Sequence, residues 1–178
     1  NEIKMAAGMV LTMNGSPFVY YGEEIGMSSS GKKDENKRLP FIWSDTDTTG
    51  MTNGPADADD GIESHFSGMQ EQQEDPLSIL NYYKRAIRIR NENPDIARGT
   101  VAVLETLSSE TTCGVSKTYG DSTIYQIYNM SPEQTTIDVS VVLPEGTGIR
   151  GYLTVDGSEV LLEGPTLTMP PYSIVILK

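Results

Sequence analysis

The apolar and polar positions along the chain follow three different patterns in succession, and the first is that of a helix. Residues 3–13 carry apolar side chains at helical spacing, on Ile3, Ala6, Ala7, Val10 and Leu11. Asn14 and Gly15 follow, and both residue types tolerate the left-handed backbone that commonly ends a helix. The pattern therefore predicts a helix that ends near Met13.

A short apolar run comes next, at residues 17–21. It combines β-branched and aromatic residues without polar alternation, which is typical of a strand covered on both faces. Gly22 and Gly26 bracket the segment that leaves this run and suit a sharp turn. Because α/β folds place their ligand sites at the carboxyl ends of strands, residues 22–27 are the first candidate for a functional site.

The second pattern is polar and extends from Ser28 to Asp75, interrupted by the apolar run 39–43. We interpret it as a long irregular loop, and loops of this length are usually functional or mobile. A helix is predicted after it, with Asp75 as N-cap and Pro76 in first position. Its apolar stripe would consist of Leu77, Leu80, Tyr83, Ile87 and Arg90, and Asn93–Pro94 would stop it.

The third pattern has period two and begins after Gly99. Short segments that alternate in polarity are separated by Gly, Pro, Ser and Asp clusters, near residues 100–107, 112–119, 123–129, 135–143, 149–155, 159–163 and 172–178. Seven or eight such strands predict an antiparallel β-sandwich. The fold class is therefore α+β, with a mixed part over residues 1–97 and a sandwich over residues 98–178.

The formal net charge of −12 restricts the partners of the chain. Nucleic acids and anionic membranes require clustered Lys and Arg, so neither is expected as a partner, whereas a neutral ligand is compatible. The sequence contains no run of eighteen apolar residues, so no transmembrane helix is predicted. Cys113 is the single cysteine and cannot form an internal disulfide.

The acidic and histidine side chains of the polar loop do not match the spacing of a metal site. Asp57, Asp59, Asp60 and Glu63 superficially resemble a calcium loop, but Gly61 falls one position too early and no Glu occupies the twelfth position. His65 has no nearby cysteine or second histidine. We therefore predict neither a metal site nor a cofactor, and we expect an exposed acidic loop.

Three segments in a fixed order carry a family resemblance: Tyr-Tyr-Gly-Glu-Glu-Ile-Gly-Met at 20–27, Asp34-x-x-x-Arg38-x-Pro-Phe-x-Trp43, and the helical segment 78–90. Together they resemble the α-amylase superfamily of glycoside hydrolases, family-13 type, and oligo-1,6-glucosidase-like enzymes in particular. The resemblance implies that residues 1–97 are the C-terminal end of a catalytic (β/α)8 barrel, including its last strand and helix. It also implies that residues 98–178 are the β-sandwich called domain C.

The same resemblance implies that the catalytic carboxylates are absent. Retaining glycosidases need a nucleophile and an acid about 5–5.5 Å apart. Glu23 and Glu24 are adjacent, and neighbours on an extended segment point to opposite sides, so they do not suit this role. The family's catalytic residues lie on earlier barrel strands, and the chain opens at Asn1 in what already reads as a helix. We therefore expect a C-terminal fragment without catalytic residues, inactive by itself.

Four residues are candidates for substrate binding. The resemblance implies that Asp34 and Arg38 hold sugar hydroxyls beside the cleaved bond, through a carboxylate and a planar guanidinium fork; a loop salt bridge is the alternative. Glu35 departs from the commoner form of the motif, which has Pro there. Tyr21 or its neighbour Tyr20 would face the pocket while the other ring packs outward. Trp43 either stacks on a glucose ring or, as we prefer, packs the loop onto the barrel.

Two hypotheses for function follow. In the first, the full-length protein hydrolyses or transfers α-glucosidic linkages of starch-like oligosaccharides, and this chain supplies a subsite wall and domain C, its partner being an α-glucan oligosaccharide. In the second, the chain is a non-catalytic carbohydrate-binding or interaction module that uses exposed tyrosines of the sandwich. A barrel strand without its usual neighbours also leads us to expect self-association of the isolated chain.

Overall fold

The structure is a computed structural model that describes residues 1–29, 33–59, 63–64 and 66–178, with only the backbone of residues 63–64. The chain forms two compact units: residues 1–17 together with 84–178, and residues 18–83. It is an α+β arrangement of helices and antiparallel sheets, and its described residues contain no closed barrel. Among them, no helix is long and apolar enough to cross a membrane.

Helix α1 (Glu2–Thr12) opens the first unit and confirms the predicted helix, although not its buried face. Met5, Gly8 and Leu11 are buried, whereas Ile3 and Val10 of the predicted stripe are about half exposed. Apolar residues surround most of this helix, so the spacing alone could not identify the covered side. Gly15 has a positive φ of 84°, as the predicted stop requires.

The β-sandwich consists of a five-stranded and a three-stranded antiparallel sheet. The strands are β3 Thr100–Val103, β4 Thr112–Tyr119, β5 Ser122–Asn129, β6 Thr135–Asp138, β7 Ile149–Leu153, β8 Leu161–Glu163, β9 Thr166–Met169 and β10 Ser173–Leu177. The larger sheet has the order β3-β4-β5-β10-β7 and the smaller one β6-β9-β8. Strand β9 lies between two predicted segments and was missed, because four residues within a turn-rich stretch give little periodic signal.

The core of the sandwich is formed by side chains that alternate along the strands. It contains Leu107, Ile127, Val139, Val160, Leu167, Met169, Val175 and Leu177. Strand β10 is buried at all five positions, because α1 packs on the face opposite this core. Helix α3 (Ile79–Glu92) also approaches the sheet: a Cβ at Gly151 would lie 3.2 Å from the Ile89 side chain. Helix α4 (Pro94–Arg98) then leads into β3.

The prediction of a buried strand at residues 17–21 is wrong. Residues 17–21 are not assigned to a strand, and Phe18 is 92% exposed. A strand needs a neighbour for its backbone hydrogen bonds, and no described residue pairs with this segment. The predicted irregular loop is confirmed in outline, with β1 (Met27–Ser28) pairing with β2 (Glu63–Ser64) and a short helix α2 (Met69–Glu74) near its end.

The start of α3 also differs from the prediction. The helix begins at Ile79 rather than after Asp75, and the Ser78 hydroxyl caps it by accepting the Asn81 N–H at 3.1 Å. The Asp75 carboxylate instead accepts the Leu77 N–H at 2.8 Å in a local turn. Leu80 and Tyr83 of the predicted stripe are buried, whereas its Leu77 and Ile87 are exposed. The other buried positions of the helix are Ile79, Tyr82, Ala86 and Ile89. The helix ends before Asn93–Pro94, as predicted.

Candidate functional site

Two left-handed glycines shape the turn at residues 22–27. Gly22 has φ 90° and Gly26 has φ 73°, and they flank a 3-10 turn over Glu23–Ile25. The carbonyl of Gly22 accepts the N–H groups of Ile25 at 3.2 Å and Met27 at 2.9 Å. A Cβ at Gly26 would overlap the ring of Phe66. Both positions therefore require glycine, which explains the spacing of the motif.

The turn separates the two adjacent glutamates. The Glu24 carboxylate accepts the N–H of Gly22 at 2.8 Å, so it closes the turn on itself. Glu23 lines a pocket, and its carboxylate accepts the N–H of Tyr20 at 3.3 Å. The two carboxylates thus have different partners and different surroundings.

A second 3-10 turn, over Glu35–Lys37, brings Asp34 and Arg38 together. The Arg38 Nη2 atom lies 3.1 Å from Asp34 Oδ2, and its Nε donates to the Asp34 carbonyl at 3.4 Å. Lys37 Nζ lies 3.9 Å from Asp34 Oδ1. The Asp34 side chain is 75% exposed, so the carboxylate is oriented by two cations and still open to a ligand.

The pocket beside these turns has a volume of about 560 Å³. Two acidic side chains, two basic ones and two tyrosines contribute to it, and its lining is Tyr20, Tyr21, Glu23, Met27, Ser28, Ser29, Asp34, Asn36, Lys37, Arg38 and Leu39. The formal charges of Glu23 and Asp34 are balanced by those of Lys37 and Arg38. A pocket without net charge in a chain of net charge −12 suits a neutral, hydroxyl-rich ligand.

Tyr20 and Tyr21 both line the pocket, which corrects the expectation that one ring would pack outward. Their ring centroids are 4.8 Å apart at an interplanar angle of 40°. Residues 21–22 form a turn rather than a strand, so the alternation of a pleated strand does not apply. The Tyr21 hydroxyl donates to the Leu39 carbonyl at 3.0 Å, and burial followed by the neighbouring Tyr20 raises the pKa of Tyr21.

Trp43 is not part of the pocket lining. Its ring lies against Phe41, with centroids 4.6 Å apart and an interplanar angle of 56°, and the residue is 45% exposed. Phe41 lies in the same loop, so the packing of this loop onto the barrel by Trp43 stays a prediction. The structure thus brings Asp34, Arg38 and Tyr21 together and leaves Trp43 outside their pocket.

Polar contacts fix the loop that carries Asp34. The Asn36 side chain is buried, and its oxygen accepts the N–H of Asp59 at 3.0 Å. Lys33 pairs with the Asp59 carboxylate at 2.8 Å. The sequence offered no signal for Asn36, because an asparagine among polar residues does not reveal whether it is buried.

Gln72 is another residue that sequence reasoning missed. It is buried, and its amide donates to the Ile25 carbonyl at 2.8 Å and to the Ser67 carbonyl at 2.7 Å. Its side-chain oxygen accepts the N–H of Leu80 at 3.1 Å. One side chain therefore ties the glycine turn, the loop and the start of α3 to each other.

The metal prediction concerns residues that the structure covers only in part. Residues 60–62 and His65 lie outside the described residues, as does the side chain of Glu63. Asp57 and Asp59 are exposed. Within the described ranges, no group of three or more His, Cys, Asp and Glu side chains is placed to hold a metal ion.

The tyrosines of the sandwich do not share an exposed face. Tyr125 and Tyr152 pack against the apolar core, and Tyr128 is buried. Tyr119 is exposed, with the Arg98 guanidinium 5.8 Å from its ring centroid. Tyr172 lies elsewhere, with its hydroxyl 3.4 Å from the Glu2 carboxylate. These positions do not build the flat aromatic platform that a carbohydrate-binding module would use.

Comparisons with known proteins agree with this geometry. The family model described as alpha amylase, catalytic domain, matches residues 1–99. Alpha-amylase 3 of Dictyoglomus thermophilum is 27% identical over 174 residues, which cover 98% of this chain and 33% of that protein. Alpha-amylase SusG of Bacteroides thetaiotaomicron is 35% identical over 102 residues, or 57% of this chain and 14% of that protein.

A solved structure, Eubacterium rectale Amy13B, superimposes with a TM-score of 0.91 at 36% identity. The match covers 98% of this chain and 34% of that structure. The chain therefore spans between 14% and 34% of the length of these relatives.

Proposed function

We propose that this chain, which belongs to the alpha-amylase family, supplies one wall of a sugar-binding subsite in a larger enzyme that acts on α-glucosidic linkages. The pocket of Asp34, Arg38 and Tyr21 carries the proposal, because it joins a guanidinium-oriented carboxylate to aromatic rings. A carboxylate accepts hydroxyl hydrogen bonds, and aromatic faces suit the apolar face of a sugar ring.

The electrostatics of the pocket support a neutral substrate. Its two acidic and two basic side chains balance each other, so an anionic or cationic ligand would find no compensating charge. The named relatives include enzymes called alpha-amylase, cyclomaltodextrinase and oligo-1,6-glucosidase. We therefore propose α-glucan oligosaccharides as the substrate of the whole enzyme.

We further propose that residues 1–97 belong to the catalytic domain and residues 98–178 form domain C. The match of the family model to residues 1–99 supports this division. No residue of this chain is assigned a catalytic role, since the Glu24 carboxylate accepts the N–H of Gly22 and the Glu23 carboxylate accepts the N–H of Tyr20. Prepared alone, the chain should not hydrolyse maltooligosaccharides.

The test is to replace Asp34 by Asn and, separately, Arg38 by Met in the full-length enzyme. The first change removes the carboxylate that would bind a sugar hydroxyl, and the second removes the guanidinium that orients this carboxylate. In each case kcat/KM for maltooligosaccharides should fall by about tenfold or more, equivalent to about 1.4 kcal/mol. Steady-state kinetics with a series of maltooligosaccharides would measure it.

Asp121→Asn is the control, because Asp121 is an exposed carboxylate between β4 and β5 that does not line the pocket. It should leave kcat/KM within a factor of two of the unmodified enzyme. If the Asp34 and Arg38 variants behave like this control, the pair is only a loop salt bridge and the subsite assignment is wrong.

The self-association of the isolated chain is a separate proposal. It rests on the run Phe18–Tyr20, in which three consecutive large apolar side chains are exposed. Sedimentation velocity of the 178-residue chain at rising concentration should show dimers or larger species, and Phe18→Ser should reduce them. A monomer over the whole concentration range would contradict it.

A further inference from the structure

Two cations meet at the carboxyl end of α1. Lys117, on β4, is 2% exposed, and its Nζ donates to the Thr12 carbonyl at 2.6 Å and to the Ile96 carbonyl at 3.5 Å. Arg90, on α3, donates to the carbonyls of Leu11 at 2.9 Å, Met13 at 2.6 Å and Gly15. A single turn of backbone therefore receives two positively charged side chains.

The end of a helix provides a physical reason for this arrangement. The last four carbonyls of an α-helix lack intrahelical partners, and the helix dipole makes this end negative. Lys117 and Arg90 together satisfy the carbonyls of residues 11, 12, 13 and 15. The cap is thus built from side chains of β4 and α3, which lie far from α1 in sequence.

The arrangement carries an electrostatic cost. Among the described residues, neither Lys117 nor Arg90 forms an ion pair with a carboxylate. A buried cation without an anionic partner is unfavourable, and a second cation nearby increases the cost. Burial, followed by the charge of Arg90, accordingly lowers the pKa of Lys117 to about 8.

The other polar groups around Lys117 come from three elements. On β5, Gln126 donates to the Thr12 carbonyl at 3.4 Å, and the Tyr128 hydroxyl hydrogen-bonds with the Thr12 hydroxyl at 3.2 Å. Burial raises the pKa of Tyr128, so this tyrosine stays neutral at mildly alkaline pH. The Cys113 thiol, on β4, also raises the pKa of Tyr128. Helix α4 contributes Asp95, which is next to Ile96 in sequence.

We propose that Lys117 and Arg90 form a two-cation cap on α1 and that this cap is a proton switch: the first compact unit gains stability when Lys117 loses its proton. A neutral amine still donates a hydrogen bond to the Thr12 carbonyl, and it removes both the buried charge and its repulsion by Arg90. The guanidinium of Arg90 keeps its charge and its three carbonyl partners.

The direction of the effect follows from proton linkage. The pKa of Lys117 is about 8 in the folded chain, and a lysine in an unfolded chain has a pKa of about 10.4. Below pH about 8 both states are protonated and the folded state bears the full cost. Between these values the unfolded state binds more protons, so stability rises with pH. This is opposite to the loss that tyrosine ionisation causes above pH about 10.

The test compares the 178-residue chain with its Lys117→Met variant by urea unfolding at pH 7 and pH 9.5, both in a Cys113→Ala background that lacks a thiol. The unfolding constant of the lysine form, relative to the methionine form, should fall about twentyfold between the two pH values. A ratio that changes less than threefold would overturn the proposal. Lys84→Met is the control and should leave the pH profile unchanged, because Lys84 is exposed.

A second measurement does not depend on a folded variant. The ¹³Cε resonances of lysines labelled in the unmodified chain report each amine directly. The Lys117 resonance should titrate near pH 8, below the value of about 10.4 for a lysine in an unfolded chain. Arg90→Met should move the Lys117 midpoint upward, since one neighbouring cation is removed. A Lys117 resonance that titrates at about pH 10.4 would refute the switch.

Discussion

The two compact units of this chain are stabilised by different kinds of interaction. The sandwich encloses an apolar cluster between two sheets, and its buried side chains are mainly aliphatic. The unit of residues 18–83 adds to buried apolar residues, such as Ile25 and Tyr82, buried polar side chains bonded to backbone, such as Gln72 and Asn36, and two left-handed glycines. The first arrangement is non-directional and the second is directional.

This difference suits the roles that we propose for the two units. A subsite must present carboxylate, guanidinium and aromatic groups at the surface, so its loop cannot bury them in a core. Hydrogen bonds from buried amides fix such a loop without covering its working side chains. A sandwich without a pocket of this composition can instead devote alternate positions to an apolar core.

The largest effect should come from the apolar core. Leu167→Ala removes a fully buried side chain on β9 and leaves a cavity, so the free energy of unfolding should fall by about 3 kcal/mol in urea denaturation. Leu161→Ala, on neighbouring β8, is the control: its side chain is nearly half exposed and its loss should cost less than about 1 kcal/mol. Equal losses would show that burial does not separate the two positions.

A smaller loss of stability is expected when the hydrogen bonds of a buried polar side chain are removed. Gln72→Leu keeps the volume but leaves the Ile25 and Ser67 carbonyls and the Leu80 N–H without their partner, which should cost about 2 kcal/mol. Amide hydrogen exchange should accelerate at residues 22–27. Gln73→Leu, at the exposed neighbouring position, should leave exchange there unaltered. Unchanged protection in the Gln72 variant would contradict the role we assign to this side chain.

The smallest effect concerns alkaline pH. Burial, then the charges of Glu23 and Glu24, raises the pKa of Tyr83 to about 12. Its folded pKa is above the unfolded value of about 10, so its contribution is present below pH 10 and is lost as pH rises toward 12. At pH 10.5 the loss should be about 0.8 kcal/mol relative to pH 8. The Tyr83→Phe variant should lack this loss of stability. Identical pH profiles of the variant and the unmodified chain would contradict the role of Tyr83.

Residues 20–43 show how far the sequence could predict the site. The motif around Gly22 and Gly26 identified a sharp turn, the resemblance selected Asp34 and Arg38, and the end of the predicted strand suggested Tyr21 or Tyr20. The structure places these residues around one pocket. None of these signals indicated Asn36, Lys37 or Gln72, because each is an ordinary polar residue whose role depends on what lies next to it in space. The role of Trp43 was ambiguous for the same reason, and the structure shows its ring against that of Phe41.

The sequence by itself determined where α1, α3 and most strands of the sandwich occur, because the periods of 3.6 and two residues are properties of the local backbone. It could not determine which side of α1 is buried, that residues 17–21 lack strand partners, or that α3 begins at Ile79 rather than after Asp75. Those outcomes depend on neighbours far away along the chain. The cap formed by Lys117 and Arg90 on α1 is the clearest case, since a buried lysine is recognisable only once the carbonyls around it are known.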